Sequence, residues 1–133
     1  MTDVQGSVRR VLRIEGVAVA AVSVMLYYHH AGGWLMFVVL FLTPDLFMLG
    51  YFAGPRVGAV AYNLVHTYIS PLVLGTVGVL ADVSLAVLLA LIWTAHIGFD
   101  RVLGYGLKYA TAFGDTHLGR LGGPSAINDV SLP

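Results

Sequence analysis

A chain of 133 residues with 58% hydrophobic and only 11% charged side chains, and a mean hydropathy of +0.83, departs far from a water-soluble domain, whose charged fraction is about 25%. Seven basic and seven acidic residues leave a formal net charge of zero, and no basic patch supports a nucleic-acid partner. The absence of cysteine removes disulfides, thiolate chemistry and sulfur-ligated metals, so any metal must take nitrogen and oxygen ligands.

The first apolar run covers about residues 11–30, follows Arg9 and Arg10, and is interrupted only by Arg13 and Glu15. It is long enough to cross roughly 30 Å of hydrocarbon, and it is read as a retained span because it runs too long for a signal peptide and lacks a small-residue cleavage site. Glu15 lies just inside the arginine-bearing end, where it either pairs with Arg10 or Arg13 or joins a buried site. Gly16 and Ala20 offer a small-residue face for close helix packing. Tyr27, Tyr28, His29, His30 and Gly32-Gly33 end the span with interfacial aromatics and a turn.

The second span, about residues 34–52, starts at the interfacial anchor Trp34 and carries Pro44 and Asp45 inside it. Proline removes the hydrogen bond to the carbonyl of Leu40, so a kink is expected where an ionisable side chain lies at membrane depth; Asp45 either caps a restarted helix or faces a site. Gly54-Pro55-Arg56 separates it from a third span, about residues 57–80, with Tyr62, Asn63, His66, Thr67 and Tyr68 in its first half. Asn63 and His66 share a helix face, and Pro71 is expected to kink the helix by freeing the carbonyl of Thr67. Gly75 and Gly78 form a second small-residue face.

Asp82 or Ser84 is expected to cap the fourth span, about residues 84–104, which is apolar until it meets His96 and, four residues on, Asp100. Positions i and i+4 share a helix face, so these two side chains project together at the edge of the hydrocarbon layer, where ionisable groups are costly. Residues 105–122, with Tyr105, Lys108, Tyr109, Asp115 and His117, read as an interfacial segment, and 123–133 as a flexible tail. The fold class expected is an all-α, integral membrane four-helix bundle with both termini cytoplasmic. All seven basic residues fall on the amino-terminal, middle-loop and carboxyl-terminal side, which the positive-inside rule assigns to the cytoplasm. Measured from those arginines, Asp45, His66, His96, Asp100 and Glu15 all fall in the cytoplasmic half or near the midplane.

The segments Thr43-Pro44-Asp45-Leu46, Met48-Leu49-Gly50-Tyr51, Ala53-Gly54-Pro55-Arg56-Val57-Gly58, Tyr62-Asn63-Leu64-Val65-His66-Thr67-Tyr68, His96-Ile97-Gly98-Phe99-Asp100-Arg101, Gly104-Tyr105-Gly106-Leu107-Lys108-Tyr109 and Asp115-Thr116-His117-Leu118-Gly119 occur in order. Together they resemble the bacterial membrane family catalogued as domain of unknown function 4260. That resemblance implies a short helical membrane protein, multi-pass in the bacterial inner (cytoplasmic) membrane, and implies no activity. A Pro-Asp in one span with His and Asp in others is more loosely similar to membrane-embedded metal-dependent hydrolases, whose paired-histidine motifs are not visible here.

The chemistry expected from these residues is a metal-dependent membrane enzyme of hydrolase or oxidoreductase type. Asp45, His66, His96 and Asp100 are its catalytic and metal-binding residues, with Glu15 and His117 as further candidate ligands. Zinc, manganese or iron all suit imidazole and carboxylate ligands, and no haem or nucleotide motif is present. The substrate expected is a small lipidic molecule, met by Asn63, Tyr62, Trp93, Arg101 and Lys108. A di-iron oxygenase lacks its Glu-x-x-His pairs here. Three alternatives stand beside this reading: a metal-free acid/base isomerase or cyclase of an isoprenoid lipid, a non-catalytic lipid-binding or assembly protein, and a proton or ion pathway. Membrane lipids are the expected surroundings, and a homodimer would pack through Gly16/Ala20 or Gly75/Gly78.

Overall fold

The computed structural model describes residues 2–109 and 115–120; the tail expected at 123–133 lies outside them. Among the described residues four segments are long and apolar enough to cross a membrane, Gly6–His29, Trp34–Ala53, Pro55–Leu80 and Ser84–Leu103. They form an all-helical bundle. In chain order its elements are α1 (Thr2–His29), α2 (Trp34–Phe41), a 3-10 helix (Thr43–Ala53), α3 (Pro55–His66), α4 (Ile69–Leu80) and α5 (Ser84–Leu103). A two-residue antiparallel ladder follows, β1 (Asp115–Thr116) with β2 (Gly119–Arg120).

The bundle is assembled on α5, the most buried of the spans. Between lipid and protein there is no hydrophobic difference to exploit, so close approach of backbones has to supply packing energy, and small residues allow it. A Cβ on Gly98 would meet the carbonyl oxygen of Gly16 and the amide of Ala20 at 2.9 Å, and one on Gly16 would meet Gly98 O at 2.8 Å. On the opposite flank Gly78 approaches Ala86 and Val87, and Gly75 approaches Ala90. Both small-residue faces expected to serve a homodimer are thus closed against α5 of the same chain.

Two spans are interrupted, and neither is the simple kink expected. In the second, Pro44 brings a change of helix type: the Asp45 amide donates to Leu42 O at 3.2 Å, and 3-10 geometry runs for 11 residues to Ala53. Runs of this helix beyond three or four residues are uncommon. The helix is capped by Leu42 with no side-chain bond, so Asp45 is not its cap. In the third span the break lies upstream of Pro71. Thr67 is extended (φ −92°, ψ 143°), and Pro71 falls in the first turn of α4, where a missing N–H costs little.

The cap expected from Asp82 or Ser84 is also absent: α5 begins after Val83 without a side-chain bond, and Asp82 takes a left-handed turn conformation (φ 54°). At its other end α5 stops at Gly104 (φ 91°). There the Tyr105 amide reaches back to Asp100 O at 2.8 Å and that of Gly104 to Arg101 O at 3.1 Å, the Schellman pattern for which glycine is suited. The chain then crosses the end of the bundle, where Lys108 bridges Thr116 and the His117 amide donates to Leu107 O at 3.0 Å.

Gly98→Val should force α1 and α5 apart, lowering stability by about 1–3 kcal/mol, the usual cost of overpacking. Thermal unfolding in mild detergent checks this: Tm falls clearly below wild type, and an unchanged Tm contradicts the close crossing.

Candidate metal centre

The two interrupted spans pack on each other and together turn side chains towards α5. The 3-10 helix presents Asp45, the last turn of α3 presents His66, and α5 presents His96 and Asp100 from one face. One ligand atom from each of the four lies within 4.8 Å of all the others. The two imidazoles meet Nε2 to Nε2 at 3.2 Å. Asp100 Oδ2 is 3.3 Å from each of those nitrogens, and Asp45 Oδ1 is 3.6 Å from His66 Nε2 and 3.4 Å from His96 Nε2. Four ligands tetrahedrally placed at about 2.0–2.2 Å from a metal are separated by about 3.3–3.6 Å, and the imidazole–imidazole and imidazole–carboxylate separations here, 3.2–3.6 Å, could hold a metal ion.

Protons sharpen the point. His66 Nδ1 lies 2.9 Å from the carbonyl oxygen of Tyr62, its own i−4 neighbour, and can only donate to it. Neutral His66 therefore turns a bare lone pair at Nε2 towards two carboxylates and a second imidazole. Nδ1 of His96 is buried without a hydrogen bond of full geometry, the backbone of Phe41 being nearest to supplying one. Acceptors gathered this closely repel unless a cation or a shared proton lies among them.

Aromatic walls hold the ligands. Tyr62 stacks on His66 at 3.7 Å between centroids and 7° between planes, Phe41 meets His96 edge-on at 5.2 Å, and Phe41 in turn packs on Phe99. His66 and His96 are buried, whereas the Asp45 side chain is 41% exposed and marks the open side. Leu42 and Leu46, three residues before Asp45 and one after it, are exposed, as is Phe99 of α5.

Ending α3 inside a membrane leaves carbonyl oxygens that water cannot satisfy. Each finds a side chain. Ser70 Oγ donates to Leu64 O at 2.5 Å, Trp93 Nε1 to Val65 O at 2.5 Å, and Arg101 Nη2 to His66 O at 2.8 Å. Arg101 Nη1 also donates to Tyr105 O at 2.6 Å. Trp93 and Arg101, expected to meet substrate, are thus engaged with backbone. Asn63, expected in the same role, grips Lys108: its Oδ1 accepts from the Lys108 amide and its Nδ2 donates to the Lys108 carbonyl, each at 2.7 Å. The Lys108 ammonium lies over the Tyr62 ring at 4.6 Å. Burial pushes that ammonium down to about 8, against the attraction of Asp100 and Asp45.

Glu15 and His117 stand apart from the four-residue cluster. Glu15 is exposed on α1. His117 accepts at Nδ1 from the Leu107 amide at 2.8 Å and packs that edge of the ring on Gly106, although the residue as a whole is exposed. Phe41 and Ser70 are the contributors that sequence reasoning missed. An aromatic and a serine in apolar runs carry no chemical signal until the break in α3 and the contact of Phe41 with His96 are known.

Fold and cluster together define a small integral-membrane helical bundle with a buried Asp/His site. The chain belongs to the DUF4260 family, described as a domain of unknown function, whose model matches residues 9–121. No curated protein and no solved structure matches the chain.

The His117 contact sets a pH dependence. Packing of the ring and the charge of Arg101 lower its pKa below the ordinary 6.5, and the Leu107 amide that donates to Nδ1 requires the neutral ring. Unfolded chains therefore take up this proton first, so the contribution is present above about pH 6.5 and is lost as pH falls below it. Thermal melts between pH 7.5 and 5 should show wild type losing stability relative to His117→Asn, whose amide oxygen can accept from Leu107 at any pH. Parallel curves for the two proteins contradict this.

Proposed function

We propose that this protein is a membrane-embedded, metal-dependent enzyme that acts on a lipidic substrate entering from the cytoplasmic leaflet of a bacterial inner membrane. The observation that carries the reading is the convergence of four acceptor atoms, two of them on buried imidazoles, at separations suited to one divalent ion. Asp45 Oδ1, His66 Nε2, His96 Nε2 and Asp100 Oδ2 would hold it, and zinc, manganese or iron all accept such a set. A metal bound there supplies Lewis acidity and a water that ionises near neutral pH.

The chain's own residues perform the remaining work. Tyr62 O fixes the His66 tautomer and ring orientation, the usual way a protein holds a ligating imidazole. The exposed apolar side chains of Leu42 and Leu46, neighbours of Asp45 in the chain, would meet the substrate's hydrocarbon part. Asp45, the most exposed of the four, is placed to receive a proton from a reacting group through the carboxylate oxygen not committed to the cluster.

A second reading has one observation in its favour. With Nδ1 of His96 lacking a full hydrogen bond, His96 can carry its proton on Nε2 and share it with His66 and the two carboxylates, which is what metal-free acid/base chemistry on an isoprenoid lipid requires.

Elemental analysis of protein purified without chelators separates the two. One divalent ion per chain is expected, with His96→Ala lowering metal affinity more than about tenfold. Helix content should hold, because polar contacts between membrane helices average only about 0.6 kcal/mol. Metal-free wild type that turns over its lipid, with activity lost in Asp100→Asn, overturns the metal reading in favour of the second. Orientation is tested separately by reporter fusions, which should place a fusion after Gly32 outside and one after Tyr109 in the cytoplasm. The reverse result removes entry from the cytoplasmic leaflet.

A further inference from the structure

We infer that the four clustered side chains divide into three that hold the metal, His66, His96 and Asp100, and one that yields, Asp45, whose position is taken by the reacting oxygen of the substrate. This rests on the metal reading.

Coordination chemistry creates the need for a yielding ligand. Four protein groups around a tetrahedral ion make the closed arrangement of structural zinc sites, whereas catalytic sites keep three protein ligands and leave the fourth position to water or substrate. The cluster offers four atoms, Asp45 Oδ1, His66 Nε2, His96 Nε2 and Asp100 Oδ2. An ion seated among all of them has no place for a reacting oxygen until one of them leaves. When a carboxylate leaves, two imidazoles and one carboxylate remain, a set that serves zinc hydrolases and iron(II) oxygenases alike.

Three of the four are fixed from several directions. His66 is held by its Nδ1 bond to Tyr62 O at 2.9 Å and by the Tyr62 ring stacked on it at 3.7 Å. The carbonyl of the same residue takes Arg101 Nη2 at 2.8 Å. His96 and Asp100 stand four residues apart on α5, a regular helix from Ser84 to Leu103, and Phe41 packs edge-on against His96. Asp100 Oδ2 lies 3.3 Å from both imidazole nitrogens. The side chains are 0% exposed at His66, 2% at His96 and 12% at Asp100, so withdrawing any of them means shifting packed surroundings.

Asp45 differs in each respect. Its side chain is 41% exposed, and its separations from the two imidazoles, 3.6 Å and 3.4 Å, are the longest of the four carboxylate contacts. It is the third residue of the 3-10 helix, and that helix is capped without its carboxylate. Hydrogen bonds in 3-10 geometry are poorer than those of an α-helix, and a stretch of it within a span often marks a hinge. Rotation of the Asp45 side chain about its own bonds therefore frees the fourth position while the three buried groups stay in place. The bond from Asp45 Oδ1 to the metal breaks with its electron pair remaining on the carboxylate, and a lone pair of the substrate oxygen makes the bond that replaces it.

Cobalt(II) reads this exchange, because its visible bands are intense in four-coordinate sites and weaken when a fifth ligand adds. The full chain in dodecyl maltoside, carrying one equivalent of cobalt, is titrated with azide. Wild type is expected to bind azide and to keep four-coordinate intensity, one ligand leaving as the other arrives. Asp45→Ala should keep its cobalt and bind azide about tenfold or more tightly, since the competing carboxylate is gone. Asp45→Asn, which keeps the shape and a weaker oxygen donor, should fall between the two, and it carries the test if the alanine variant does not fold. Zinc competition supplies the contrast among ligands: Asp45→Ala stays within about tenfold of wild-type affinity, whereas Asp100→Ala loses about a hundredfold or more. Wild type that keeps its cobalt but excludes azide overturns the inference, as does band intensity that falls as azide binds. Equal azide affinity in wild type and the Asp45 variants overturns it too, and so does an equal loss of zinc affinity in Asp45→Ala and Asp100→Ala. Each of these defeats this inference alone, whereas failure of the wild type to bind cobalt or zinc defeats it together with the metal reading.

Discussion

Inside a bilayer a carbonyl oxygen freed by a broken helix has no water to turn to, and the end of α3 frees three in succession, on Leu64, Val65 and His66. Their partners are Ser70, Trp93 and Arg101, one from the following helix and two from α5. Those bonds do more than satisfy the backbone. They tie α3 to α5 at the level of His66 and His96, where the larger backbone packing of the molecule, α1 on α5, α4 on α5 and α3 on the 3-10 helix, makes no such connection. The break that would be a liability in an unbroken lipid-facing span is what brings an imidazole from one pair of elements against an imidazole from another.

The four clustered side chains are therefore divided evenly. Asp45 and His66 belong to the 3-10 helix and α3, and His96 and Asp100 to α5. Ions held between two such parts would couple their docking to occupancy, since whatever binds the assembled state stabilises it. Irregular backbone on one side of the cluster and a regular helix on the other also explain the access. Residues 43–53 pack on α3 and leave Asp45 partly open, while α5 buries His96 and Asp100 against His66 and Phe41.

Much of this was legible from residues alone, for a physical reason. The cost of placing charge in hydrocarbon makes every intramembrane Asp or His conspicuous, and counting back from the arginines gave Asp45, His66 and His96 a common depth. The i, i+4 spacing of His96 and Asp100 gave a common face. Partners of backbone atoms were not legible. Trp93, Arg101 and Asn63 were expected to meet substrate, and nothing in their spacing reveals that a carbonyl 28, 35 or 45 residues away also takes a donor from them or that a lysine backbone has a strand-like partner. Pro71 marked an interruption but not its place, which extended Thr67 determines. Glycine faces were visible as faces, yet only the packed chain shows that Gly16 and Gly98 close on each other. His117 has the chemistry of a ligand and the local environment of a turn acceptor.

Everything functional hangs on whether the gathered acceptors surround an ion. X-ray absorption at the zinc edge, on protein carrying one equivalent of zinc, reads that shell directly. The expected spectrum has the multiple-scattering signature of two imidazoles and carboxylate oxygens at about 2.0–2.2 Å, with the imidazole signal halved in His66→Ala. A shell of oxygen alone, unchanged by that substitution, would place the zinc elsewhere and leave Asp45, His66, His96 and Asp100 as a metal-free polar layer.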